Sequence, residues 1–223
     1  MKNGIKTKIL TVMFIDLAGY TKTTSKLNVE EFDQLHEIFD NLTLPIFKNY
    51  SGNIIKKIGD AFLATFESPT SAVLCGVELQ KVFMSYTKSN GNKPLHIRVA
   101  IHTGEVLIRK KDVYGDTVNI AARIESVAKP DHVVFSEAVL NTMNKNELPV
   151  MFAGEHKLKG LKKPVKLFRV ERKIDKIIRK KRIQQERADA IKRQFGFAST
   201  KFFVIVVILV VVYILLHFVF RVI

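Results

Sequence analysis

Cysteine is nearly absent from this sequence: Cys75 stands alone among 223 residues. One thiol cannot build a disulfide framework or a cysteine-rich zinc fold, and it fits a reducing compartment. Acidic residues are also scarce, 21 against 36 Lys and Arg, for a formal charge of +15. That deficit points to an anionic partner without choosing between nucleic acid, acidic lipid and a nucleoside triphosphate. Internal repeats are missing, and the one biased tract is a basic stretch near the C-terminus. A hydrophobic fraction of 47% excludes a disordered chain. The length suits one compact domain with appendages and excludes two full-sized domains.

Charge is missing altogether between Phe202 and Phe220, FFVIVVILVVVYILLHFVF. As a helix this run covers roughly 30 Å, the thickness of a bilayer core, and it keeps no polar face for a soluble core. Its place at the end of the chain excludes a secretory signal peptide. The expectation is a C-terminal transmembrane helix over 202–223. Before it, Glu171–Lys201 carries eleven basic against four acidic residues. Lys and Arg beside a span favour the cytoplasmic side, which predicts a single-pass protein with everything before Phe202 in the cytoplasm. This basic helical linker, 171–201, reads equally well as a lipid-surface contact or as a solvated connector. No aromatic-interleaved motif accompanies the charge, so nucleic acid is not expected as a partner.

Residues 1–170 alternate between strand and helix patterns. Ile9–Ile15 is β-branched and apolar, as a central strand requires. Val29–Tyr50 has helical spacing with Pro45 near its end, and Asn53–Ile58 and Ala61–Phe66 flank the two-residue hairpin signal Gly59-Asp60. A second helix is predicted over Thr70–Tyr86, and a strand pair, Leu95–His102 and Glu105–Arg109, is expected to turn at Gly104. A third helix fits Asp116–Ala128, with Asp116 as its N-cap. Strands are then expected at His132–Phe135, Phe152–Leu158 and Pro164–Val170. The fold class is therefore α+β: a ferredoxin-like βαββαβ core with extra C-terminal strands.

Two aspartates that can meet at one sheet edge, Asp16 ending the first strand and Asp60 in the hairpin turn, make a hard-oxygen site suited to Mg²⁺. The loop Leu17-Ala18-Gly19-Tyr20-Thr21 offers a glycine for close backbone approach and a threonine hydroxyl for a triphosphate. Asn119 and Arg123, four apart, share a helix face, and a fixed guanidinium beside an amide suits charge building on a phosphoryl group.

Four ordered stretches, Phe14–Thr21, Lys56–Phe62, Arg98–Gly104 and Tyr114–Arg123, together with Leu158-Lys159-Gly160 … Pro164-Val165, resemble the catalytic domain of the class III adenylate and guanylate cyclases. The resemblance spans about residues 8–171. It implies that Asp16 and Asp60, with the Leu17 carbonyl, hold two Mg²⁺ ions (Mn²⁺ being a possible substitute). It further implies that Asn119 orients the ribose, Arg123 meets charge at the α-phosphate, and Thr21 and Lys159 contact the terminal phosphates. The residues expected to face the purine are Lys56 and Asp112, although the neighbouring Lys57 leaves open which lysine points inward. A lysine donor with an aspartate acceptor matches the N1 and N6 edge of adenine, whereas guanine reverses that edge. The expected enzyme is an adenylate cyclase, making cyclic AMP from ATP.

The resemblance also implies that the metal pair of one protomer works with the purine and transition-state residues of another. A homodimer carrying both sets would build two sites. Two departures stand in the first loop: Ala18 where the family usually has an acid, and Tyr20 where it usually has Phe. The alternatives are a guanylate cyclase, or a catalytically silent, membrane-anchored binding module. The latter would be expected to have lost a metal aspartate or the arginine, and this chain keeps all three.

Overall fold

The computed structural model of the chain describes residues 6–20, 24–25, 27–91, 93–172 and 184–185. The chain divides into Met1–Glu171 and Arg172–Ile223. Of the second unit only residues 172 and 184–185 are described. The basic linker and the apolar run from 202 thus fall outside the described residues almost entirely. Among the described residues no helix is long and apolar enough to cross a membrane.

The first unit runs β1 (Lys6–Leu17), α1 (Val29–Asn49), β2 (Asn53–Ile58), β3 (Ala61–Phe66), α2 (Pro69–Ser89), β4 (Ile97–Arg109), β5 (Asp112–Tyr114), α3 (Asp116–Val127), β6 (His132–Ser136), α4 (Glu137–Thr142), β7 (Val150–His156) and β8 (Val165–Val170). The strands form one sheet in the order β2-β3-β1-β4-β6-β8-β7, with β5 beside β4. The four strands of the β2-β3-β1-β4 half are antiparallel, and β6 pairs parallel to β4, so the sheet is mixed. That half, with α1 and α2 as its crossovers, is the split βαβ arrangement expected of a ferredoxin-like core.

Local chemistry sets the helix ends. Asn28 and Glu31 form a reciprocal capping box: Asn28 Oδ1 accepts from the Glu31 N–H at 2.8 Å, and Glu31 Oε2 accepts from the Asn28 N–H at 3.3 Å. Helix α1 then turns Leu35, Phe39, Thr43, Ile46 and Phe47 inward and continues through Pro45 to Asn49. Ser68 caps α2, with Pro69 at the first position, where a missing N–H costs nothing.

The pleat of β1 separates two cores. Met13, Ile15 and Leu17 face α1 and α2, together with Phe62, Phe66, Val99 and Ile101. Phe39 stacks on Phe62 at 5.3 Å between centroids and meets Phe83 edge-on at 5.8 Å. Leu10, Val12 and Phe14 face the other way, against Leu63 and Ala121 of α3. Cys75 lies within the α1/α2 core, where burial pushes its thiol up to about 12, so it is an inert packing group.

Two expectations are corrected. The chain does not turn at Gly104; β4 continues through it from Ile97 to Arg109 and turns only at Lys110 and Lys111, both with positive φ. Gly104 is there because α3 passes over it: a Cβ would sit 2.6 Å from Thr117 Oγ1. Asp116 is not the N-cap of α3; Gly115, at φ 121°, holds that place, and Asp116 is the first helical residue. The short elements β5 and α4 were not foreseen.

Gly104→Ala should push Thr117 from its 2.6 Å hydrogen bond to the Glu105 carbonyl. The expected loss is about 1–3 kcal/mol of stability. Adding Thr117→Ala should cost less than the sum of the two single changes, since the clash is gone. Thermal melting of the purified chain checks both; additive losses would mean that the two groups do not collide.

Candidate active site

Hydrogen-bond registers bring the two expected carboxylates together. Asp16 pairs across β1 and β3 with Ala61, the residue after Asp60. The Leu17 N–H donates to the Asp60 carbonyl at 3.3 Å. Gly59, at φ +60°, makes the two-residue turn that leaves Asp60 beside the end of β1. Asp16 is buried. Burial, and then the charge of Asp16, push the Asp60 carboxyl up to about 6, and its protonated form bonds to Asp16.

A residue that the sequence reading did not assign answers this crowding. Arg98, opposite Asp16 on β4, donates from Nε to Asp16 Oδ2 at 3.1 Å and again from a terminal guanidinium nitrogen. The same guanidinium lies 2.9 Å from Glu125 Oε1, which lacks the alignment of a hydrogen bond. Burial pushes Glu125 up to about 7, against the pull of Arg98 and with the push of Asp16. Asp16, Asp60, Arg98 and Glu125 thus form one charged cluster where β1, β4 and α3 converge. The signal available in the sequence was an arginine within the strand pattern Leu95–Ile101.

A β-bulge aims the expected purine reader. Ile54 pairs with Ala64, on the α1/α2 face, and plain alternation would return Lys56 to that face. The ladder shifts between Ile54 and Lys56, so Lys56 pairs with Leu63, on the face of α3 and Asp16. Lys56 Nζ then donates to Asp112 Oδ2 at 2.6 Å, and this bond is the main reason the Asp112 carboxyl is held below its usual range. Lys57 pairs with Phe62 on the opposite face, bonds Asp40 of α1, and lies over the rings of Phe39 and Phe62. Lys56, not Lys57, therefore shares a face with Asp112.

On α3, Asn119 is exposed and Arg123 half-buried. The Arg123 guanidinium packs against Gly160, where a Cβ would lie 3.3 Å from Nη2. That glycine, at φ +75°, follows the exposed Lys159 in the β7–β8 loop, so Arg123 and Lys159 occupy neighbouring positions. Thr21 lies outside the described residues. His102, from the third matching stretch, takes no part: it bonds Ser136 Oγ at 2.7 Å, and burial lowers its pKa to about 4, leaving the ring neutral.

The donor set fits a divalent cation. Two adjoining carboxylates with surplus negative charge, beside a backbone carbonyl at Leu17, are hard-oxygen ligands suited to Mg²⁺ or Mn²⁺. Among the described residues no group of three or more His, Cys, Asp and Glu side chains gathers to hold a metal.

Because Asp60 is raised from 3.8 to about 6, it binds its proton more tightly folded than unfolded. Without metal, its ionisation costs stability above that range and nothing below the unfolded value. Asp60→Asn should therefore raise the melting temperature of the metal-free chain at pH 8, and the gain should vanish as pH falls through 6 towards 4. Solvent screening of this part-exposed group reduces the effect to about 1 kcal/mol, or roughly 2–4 °C. A gain that is independent of pH would mean that the carboxylates do not repel.

The Adenylate and Guanylate cyclase catalytic domain family matches residues 5–172. The putative adenylate cyclase 3 of Rhizobium meliloti is 24% identical over 169 residues, covering 75% of this chain and 29% of that protein. An adenylate cyclase of Streptomyces coelicolor is 31% identical over 138 residues, covering 60% of this chain and 35% of its own. The chain thus spans about a third of the length of these curated relatives. Among solved structures, the adenylyl cyclase CyaB of P. aeruginosa aligns with TM-score 0.68 and 25% identity, over 75% of this chain and 96% of that one. The guanylyl cyclase Cya2 aligns with TM-score 0.67 and 28% identity, over 74% and 92%. With its sheet order and carboxylate pair, this chain belongs to the adenylate and guanylate cyclase catalytic domain family.

Proposed function

We propose that the chain is an adenylate cyclase, converting ATP to 3′,5′-cyclic AMP and pyrophosphate. The observation that carries the choice of base is the Lys56–Asp112 ion pair, 2.6 Å, on the face that also bears Asp16. Adenine offers N1 as acceptor and its 6-amino group as donor, which this donor–acceptor pair can take over. Guanine offers the reverse pattern and would leave Lys56 facing an N–H.

In the reaction the ribose 3′-oxygen bonds to the α-phosphorus while the bond to the β-phosphate's bridging oxygen breaks. The hydroxyl proton goes to solvent, and pyrophosphate leaves with the electron pair. When bound, divalent ions at Asp16, Asp60 and the Leu17 carbonyl supply Lewis acidity to the 3′-hydroxyl and to the triphosphate. Asn119 orients the ribose. Arg123 meets the charge that develops at the α-phosphate, and its place against the β7–β8 loop keeps it near Lys159, which with Thr21 holds the terminal phosphates. Arg98 neutralises the Asp16 carboxylate when no cation is bound.

The site is read as shared between two copies: Asp16 and Asp60 of one protomer, with Lys56, Asp112, Asn119 and Arg123 of its partner. Residues 202–223 are read as a membrane anchor, with the catalytic domain on the cytoplasmic side. Confinement to a surface would raise the effective concentration for pairing.

Given ATP or GTP with Mg²⁺ or Mn²⁺, the purified chain should form cyclic AMP from ATP in clear preference. Cyclic GMP as the main product would overturn the reading of the base, and no cyclic product from either would favour a silent binding module. Asp60→Ala and Arg123→Ala should each abolish turnover, yet mixing the two should restore it, because one heterodimer site receives only wild-type parts. Lack of recovery would argue for a site built within one chain.

A further inference from the structure

We propose that Tyr20 is a positioning residue for the nucleotide: its side-chain tether to His36 holds the segment Leu17–Tyr20, which follows Asp16, in place for the triphosphate. The proposal rests on the cyclase reading and deepens it.

The loop leaves β1 at Leu17 and is secured first by the sheet, where the Ala18 N–H donates to the His96 carbonyl at 2.8 Å. Gly19 follows at φ +78°, a residue with unusual backbone freedom. Beyond it the loop is secured from the other side. Tyr20 Oη lies 2.9 Å from His36 Nε2 on α1. The two rings meet edge-on at 5.7 Å, and Phe32 closes the group at 4.6 Å from the His36 ring. Thr24 Oγ1 donates to the Tyr20 carbonyl at 3.0 Å, fixing the backbone at the same point. The chain entering and leaving Gly19 is thus pinned to two different elements, the sheet and α1.

The bond joins two neutral groups: burial, and then the charge of Lys57, lower the His36 pKa, and burial and the charge of Asp60 keep the Tyr20 phenol protonated. The ring tautomer sets which of the two donates. A phenylalanine at position 20 would preserve the ring packing and lose only this bond. The segment Leu17–Tyr20 is the one whose glycine allows close backbone approach to a triphosphate. A loop held in place before the nucleotide arrives loses less freedom on binding, so the tether acts on affinity.

Three variants and two readouts test this. Tyr20→Phe and His36→Leu each remove the bond, whereas His36→Gln retains an acceptor. In the first two, KM for ATP should rise roughly three- to tenfold, the size of one part-buried hydrogen bond, with kcat within about twofold. The double variant Tyr20→Phe/His36→Leu should be no worse than either alone. His36→Gln should keep KM near wild type. Independently of turnover, amide exchange at Ala18 should quicken roughly three- to tenfold in Tyr20→Phe by the same reckoning. Unchanged KM with unchanged exchange, or losses that simply add in the double variant, would overturn the tether. So would lower melting temperatures with unaltered KM, which would make the bond structural only. If the wild-type chain makes no cyclic nucleotide, the cyclase reading falls, whereas amide exchange and equilibrium dialysis with ATP still decide the role of Tyr20.

Discussion

Two carboxylates with surplus negative charge, fixed where a central strand ends, set the terms for the rest of this fold. Asp16 cannot retreat, because β1 is laced on both sides, to β3 and to β4, up to its last residues. Asp60 cannot retreat either, because a two-residue turn delivers it and its carbonyl holds the Leu17 N–H. Burial and mutual repulsion are offset by Arg98, which reaches Asp16 from the neighbouring strand and lies beside Glu125 of α3. Such an arrangement stores unfavourable electrostatics in the metal-free protein that a bound cation would relieve.

The sheet divides its labour by face. One face is mostly packing: α1 and α2 cover it with Phe39, Phe47, Phe62, Phe66 and Phe83, and even its charged pair, Lys57 with Asp40, lies beside aromatic rings. The other carries Asp16, Lys56 and α3, whose inner residues Thr117, Ala121 and Ile124 pack while Asn119 and Arg123 stay accessible. Helix α3 can come this close because Gly104 leaves room for Thr117.

Much of this was legible in the sequence. Long periodic segments read correctly: α1, from its helical spacing, and the hairpin about Gly59-Asp60, which put the two aspartates at one edge. The glycine in β4 misled, because a glycine needed for a helix to pass overhead looks the same in sequence as one needed for a turn. Asp116 was a plausible cap, but Gly115 reaches the cap conformation without a side-chain bond. The strand β5 and the helix α4 are too short to show a period. The Arg98–Asp16 contact joins residues 82 apart and needs the strand register to be known. Whether Lys56 or Lys57 faces Asp112 depended on a single unpaired residue in the ladder, which no local pattern announces.

That extra residue at Ile55 sits just before two consecutive lysines. Straightening the ladder there would exchange the faces of Lys56 and Lys57, an error that ordinarily turns a strand inside out. Here each side would still receive an ammonium group, displaced along the strand by about one residue rise, ~3.3 Å. The doublet makes the strand's charge pattern tolerant of a slip, so what the irregularity governs is reach and alignment rather than the kind of group presented.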